Sequence, residues 1–87
     1  MEVSGLVKVI GEVESVGSNG FTKRQIVVGT TEQYPQDIAI DFVKDKTDLL
    51  NNFKVGDSVK VHVNLRGSEY NGKYYVNLQG WKIEADF

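Results

Sequence analysis

Eighty-seven residues with nine glycines, one proline and no cysteine suit one small β-rich domain, 1–87, with a compact core, because a chain this short removes only about 60–65 % of its unfolded surface from water. The missing cysteines exclude a disulfide framework and a thiolate metal site, and a lone histidine cannot build a zinc centre from the usual ligands, so no metal and no cofactor is expected. A formal net charge of −2 speaks against a ligand held by phosphate attraction over the whole surface.

The first fourteen residues, MEVSGLVKVIGEVE, have neither the basic start nor the unbroken apolar run of a signal peptide. No later stretch nears the roughly 20 apolar residues that cross a bilayer, and the expected location is cytoplasmic. Residues 3–16 read as one long first strand with Val3, Val7, Val9, Val13 and Val16. Gly5 and Gly11 interrupt it where a bulge or bend avoids a Cβ clash, so that one strand can serve two sheets. Gly17-Ser18-Asn19-Gly20 is a hairpin turn, since Asn-Gly supplies positive-φ positions.

The second strand is predicted over Phe21 to Thr31, with Ile26 and Val28 inward and Lys23, Gln25 and Val27 outward. Glu32 to Gln36 is a loop in which Pro35 restricts Tyr34 to extended geometry. Asp37 to Phe42 then alternates, with Ile38, Ile40 and Phe42 on one face and Asp37 and Asp41 on the other. From Asp45 to Phe53 the period of two breaks. Asp45 or Thr47 can cap about two turns of helix that bury Leu49, Leu50 and Phe53 and plug one barrel end.

Val55-Gly56-Asp57 turns tightly into a fourth strand, Ser58 to Arg66, in which Val59, Val61, Val63 and Leu65 alternate with Lys60, His62, Asn64 and Arg66. Such spacing marks a half-buried strand. Residues 67–72 form a second Asn-Gly hairpin, and Lys73 to Ala85 returns as the fifth strand. Five short strands with a helix between the third and fourth give the element order of an all-β, five-stranded Greek-key OB-fold barrel, whose closure hides the exposed edges of a small sheet. A six-stranded sandwich-like barrel without a binding role is the alternative.

Lys54-Val55-Gly56-Asp57, Leu65-Arg66-Gly67, Asn71-Gly72-Lys73-Tyr74-Tyr75 and Gly80-Trp81-Lys82-Ile83-Glu84 resemble a small, largely uncharacterised bacterial and phage OB-fold family described as single-stranded-DNA-binding. The Tyr34-Pro35-Gln36-Asp37 loop extends the resemblance to nearly the whole chain. A looser similarity to bacterial single-stranded-DNA-binding proteins lies in the Gly56-Asp57 turn and the strand ending at Leu65-Arg66. Two departures accompany it: no long acidic-tipped tail precedes Phe87, and the third and fourth strands hold no tryptophan.

A groove on strands two and three of such a barrel, flanked by the loops joining strands one to two and four to five, takes extended ligands. Single-stranded nucleic acid needs rings on which bases stack and cations along the phosphates. The first loop offers Phe21, Lys23 and Arg24, of which the two neighbouring cations must face opposite ways; in the plain reading Phe21 closes the barrel and the cations are solvated. The second offers Arg66, Tyr70, Lys73 and one of Tyr74 and Tyr75, since consecutive residues cannot both be core; the displayed ring could instead cover a strand neighbour or a subunit interface. From Ser58 to Lys82 four cations face one acid, Glu69.

Tyr34 can reach a ligand or anchor its loop, and Trp81 is expected to cover a barrel opening. His62 reads as a surface residue without a catalytic partner set, and Asp37 and Asp41 as a solvated face or partners of Lys60. The glycines never take a phosphate-cradling spacing. The expected function is a non-catalytic module for single-stranded DNA, or RNA, using Phe21, Lys23, Arg24, Tyr34, Arg66, Tyr70, Lys73 and Tyr75. So few cations neutralise about 2–4 phosphates per subunit, which calls for a homo-oligomer, dimer or tetramer. The alternative is a protein-interaction or assembly module.

Overall fold

A computed structural model describes residues 1–16 and 20–86. The elements are β1 (Glu2–Ile10), β2 (Glu14–Val16), β3 (Phe21–Thr30), β4 (Asp37–Val43), a 3₁₀ helix (Lys44–Asn52), β5 (Ser58–Tyr70) and β6 (Lys73–Ala85). Neighbours in the sheet run β1-β5-β6-β4-β3-β2, and β1 also pairs with β3, which closes the sheet on itself. All pairings are antiparallel except a single parallel bridge between Asp41 of β4 and Gln79 of β6. With the helix between β4 and β5, this is the OB-fold that the element order predicts.

The expected long first strand is two segments. Both β1 and β2 pair with β3, and the chain leaves regular pairing between Ile10 and Glu14. β1 serves both sides of the closure: Gly5 lies opposite Thr30 of β3 and Val59 of β5. Strands cross there so closely that a Cβ on Gly5 would run into the Gly29 carbonyl. A register shift between Val7 and Val9 supplies the bulge that turns the strand. The predicted turn at Gly17, Ser18 and Asn19 lies outside the described residues; Gly20 has φ +71°.

The core is the inward phase of the strands: Val7, Ile26, Val28, Ile40, Phe42, Val59, Val61 and Val63, closed at one end by Leu50. Ile38, Leu49, Phe53, Leu78 and Ile83 pack around it partly buried. The helix plug is present, but as a 3₁₀ helix, and neither Asp45 nor Thr47 caps it. The N-cap position is Val43, without a side-chain cap. Lys44 turns straight out of β4 with φ +57°, and the buried Thr47 donates its Oγ1 hydrogen to the Lys44 carbonyl at 3.0 Å, so that its hydroxyl is satisfied inside the first turn.

Alternation on β5 holds through Val63 and then meets no core. Leu65 is 59 % exposed, because β5 and β6 run past the barrel as a two-stranded arm. The arm ends at Asn71 and Gly72, whose φ angles of +53° and +78° are what a two-residue Asn-Gly turn requires. Gly80 lies against the Phe42 ring where a Cβ would overlap it. Gly80→Ala should therefore cost about 1–3 kcal/mol through overpacking, seen as a Tm lower by on the order of 5 °C or more in a domain of this size; an unchanged Tm would contradict this packing.

Candidate nucleic-acid interface

Strand alternation decides which residues share a surface with β3. Phe21, Lys23 and Gln25 are on its outward phase, opposite to Ile26 and Val28. Lys23 pairs in register with Val43, and Gln25 with Asp41. The Asp41–Gln79 bridge carries the surface on to β6. On the β5–β6 ribbon, Asn64 faces Gln79, Arg66 faces Asn77, Ser68 faces Tyr75 and Tyr70 faces Lys73. Directly opposed residues of an antiparallel pair display their side chains on one face.

Phe21, Lys23, Asp41, Val43, Lys44, Arg66, Asn77 and Gln79 enclose an open cleft of about 600 Å³ on that surface. Lys44 Nζ stands 5.9 Å from the centre of the Phe21 ring, within cation–π range. Lys23 Nζ is 3.7 Å from Asp41 Oδ2, while Asp41 Oδ1 is buried and accepts no hydrogen bond. Three cations thus border a cleft that holds one carboxylate. The similarly sized concavity of about 530 Å³ at the far end of the barrel is lined by Glu2, Glu32 and neutral residues, with no cation, and would repel a phosphate.

The structure brings together most of the sequence-predicted site. Phe21, Lys23 and Arg66 meet in the cleft, and Tyr70, Lys73 and Tyr75 continue its surface along the arm. Tyr74 is exposed too, on the opposite face, so both adjacent tyrosines are displayed. Two residues do not join. Arg24 points away and acts as a strut: its Nε donates to the Gly11 carbonyl at 2.8 Å and its guanidinium to Asn51 Oδ1 at 2.8 Å. Tyr34 is exposed in the loop after Thr30, at the other end of β3 from Phe21, on the order of 30 Å away along an extended ten-residue strand.

Lys44, Asn77 and Gln79 were not singled out by sequence reasoning. Lys44 arrives through its left-handed turn, which no local pattern announces; Asn77 and Gln79 share the alternating phase of Tyr75, which could have found them. Trp81 corrects an expectation, since it is 45 % exposed rather than covering a barrel opening. Its ring centre lies 5.2 Å from that of His62, at 46°. His62 is not a free surface residue either. Its Nε2 is 2.8 Å from Glu84 Oε1 and its Nδ1 is 3.6 Å from Glu2 Oε2, which ties β1, β5 and β6 together. Neither aspartate pairs with Lys60: Asp37 Oδ1 meets Lys8 Nζ at 2.8 Å, and Asp41 meets Lys23. Among the described residues no group of three or more metal-ligating side chains converges, and no helix is long and apolar enough to cross a membrane.

Solved structures of the same fold align along 99 % of the chain. The second single-stranded DNA binding protein (SSBb) of Mycobacterium smegmatis matches with a TM-score of 0.70 at 15 % identity, over 84 % of its own length. The N-terminal domain of PriB protein from Thermoanaerobacter tencongensis, described as dimeric, matches at 0.67 and 19 %, over 93 %. A small single-stranded DNA-binding protein from Streptomyces coelicolor matches at 0.59 and 14 %, over 92 %. At these identities the likeness establishes the fold alone. No curated protein matches. Residues 2–84 match a family described as Domain of unknown function (DUF3127).

The Glu84 carboxyl is held below its ordinary value of 4.5, first by its hydrogen bond with His62 and then by the charges of Lys82, His62 and Lys60, against an opposing effect of burial. A carboxyl lowered on folding contributes stability that is complete above the ordinary value and is lost as pH falls through the lowered one. Thermal melts should show wild type losing more Tm than Glu84→Gln between about pH 5 and about pH 3; parallel losses would mean that the His62–Glu84 contact contributes nothing.

Proposed function

We propose, for a chain that belongs to the Domain of unknown function (DUF3127) family, that it is a non-catalytic cytoplasmic module binding single-stranded nucleic acid, DNA above all, with little regard for sequence. The observation that carries this reading is the convergence of rings and cations on one outward surface. Phe21, Lys23, Lys44 and Arg66 border the cleft, and Tyr75, Tyr70 and Lys73 extend it along the arm. Stacked bases contribute roughly 1–3 kcal/mol each whatever their identity, because every base has a π-face. Asn77 and Gln79 each carry both a donor and an acceptor and so suit any base edge. The matching folds described as single-stranded DNA-binding support the same ligand. His62 is turned to Glu84 and Glu2, and we assign it no reaction.

Fluorescence anisotropy of a labelled oligo-dT, titrated at low and high salt, tests this directly. Tyr75→Ala should weaken binding by about 1–3 kcal/mol. Arg66→Ala should weaken it and make the salt slope shallower by about 0.7, the share of one phosphate on a single strand. Absence of binding at low salt, or affinity indifferent to salt, would remove nucleic acid as the ligand.

Self-association is the second part of the reading, and the opposite face of the arm favours it. Leu65, Tyr74 and Val76 are 59, 79 and 71 % exposed and continue the inward phase of Val59, Val61 and Val63 beyond the barrel. A second copy covering this stripe would remove apolar surface from water and set two clefts on one strand of nucleic acid. Light scattering should find a dimer or tetramer that Leu65→Glu with Val76→Glu converts to monomer; a wild type that is monomeric at every concentration rules this part out.

A further inference from the structure

Trp81 stands where the register between β5 and β6 slips. His62 pairs with Lys82 but Val63 pairs with Gly80, leaving Trp81 as the extra residue of a bulge. On an unbroken strand its phase would follow Ile83, which packs against the core. The bulge instead places Gly80 over Phe42 and turns the indole outward. Bulges commonly re-aim a side chain beside a functional site. A large, displayed indole costs apolar exposure that a smaller or polar residue would avoid, so its setting matters.

That setting is a second cleft, of about 200 Å³, in which Trp81 lies together with Lys44, Lys46 and Arg66, and with Asp45 as the one acid. It shares Val43, Lys44, Arg66 and Gln79 with the larger cleft, so the two adjoin and one extended ligand can pass through both. His62 packs against the indole at a tilt of 46° and is itself held by Glu84 and Glu2, which limits the ring's freedom to turn and lowers the entropy lost when a base settles on it.

We infer that Trp81 is a stacking platform of a second nucleotide subsite, with Lys44, Lys46 and Arg66 taking the adjoining phosphate, so that a bound single strand leaves the main cleft across the start of the 3₁₀ helix toward the barrel body. The inference rests on the reading of the main cleft as a single-strand site and adds its direction and a second ring. His62 is a positioning residue here.

The chain has one tryptophan, so indole emission reports this subsite alone while anisotropy of a labelled oligo-dT reports binding anywhere. With oligo-dT from about 4 to about 16 nucleotides, the span an OB-fold engages, emission should be quenched once the strand is long enough to cover both clefts. Trp81→Leu keeps an apolar side chain against His62 but loses the flat ring, and should bind those longer oligonucleotides about tenfold more weakly while matching wild type on the shortest; Trp81→Phe should recover much of the loss. Melting curves of both variants separate this from misfolding. Oligonucleotide binding that leaves emission unchanged, or that Trp81→Leu matches at every length, overturns the subsite and leaves the main cleft standing. No anisotropy change with wild type at any length removes both.

Discussion

Closure of this small barrel turns on the contact between the Phe42 ring and the backbone of Gly80. β4 and β6 share a single bridge, Asp41 with Gln79, next to that contact, so few hydrogen bonds hold the two strands and packing must do the rest. Phe42 is fully buried and fits because position 80 lacks a side chain. To present Gly80 inward, β6 has to slip by one residue, and the slip expels Trp81. Core packing and the ring displayed at the surface are therefore one event, set by the steric demand of Phe42 and the pleat of the strand.

How far the sequence could be read follows from the same physics. Period-two alternation identified the inward residues of β3, β4 and most of β5, because each strand segment in the barrel has one buried face and a one-residue error would expose all of it. The Asn71-Gly72 and Gly56-Asp57 turns were legible because positive φ at Asn71, Gly72 and Gly56 restricts the residues that can occupy those positions. Trp81, expected to cover a barrel opening, is displayed instead, because the bulge that turns it outward is demanded by the distant Phe42 and leaves no local signal in the sequence. Leu65 was misread because alternation does not reveal where a strand outruns its core. Arg24 was placed correctly on the opposite phase from Lys23, but its partners, Gly11 and Asn51, come from segments 13 and 27 residues away in sequence. Lys44 depends on a left-handed turn that neither its residue type nor its neighbours signal.

The acidic balance of the whole chain and the cationic cleft coexist because charge is segregated along the barrel. One end carries Glu2 and Glu32 around a concavity without cations, and the other gathers Lys23, Lys44, Lys46 and Arg66 about the two adjoining clefts. Over a separation larger than the Debye length of about 8 Å at physiological salt, a ligand at one end feels little of the other, and formal net charge loses its meaning as a guide to affinity. In the proposed binding mode the segregation would orient an approaching polyanion before contact.

Asp41 qualifies that field in a way that bears on specificity. Its carboxylate lies within the cleft, beside Lys23 and with one oxygen buried and unpaired, so negative charge is fixed where a phosphate would otherwise reach deepest. In the proposed binding mode the phosphates stay at the rim with Lys44 and Arg66, and the bases, which carry N–H donors a carboxylate can accept, turn toward the floor. A strand held in that mode, with its bases inward, would meet Phe21 and the amides of Asn77 and Gln79 rather than bulk water, so the surface proposed to supply stacking would also select single strands, whose bases are free to turn inward, over duplexes, whose bases are not.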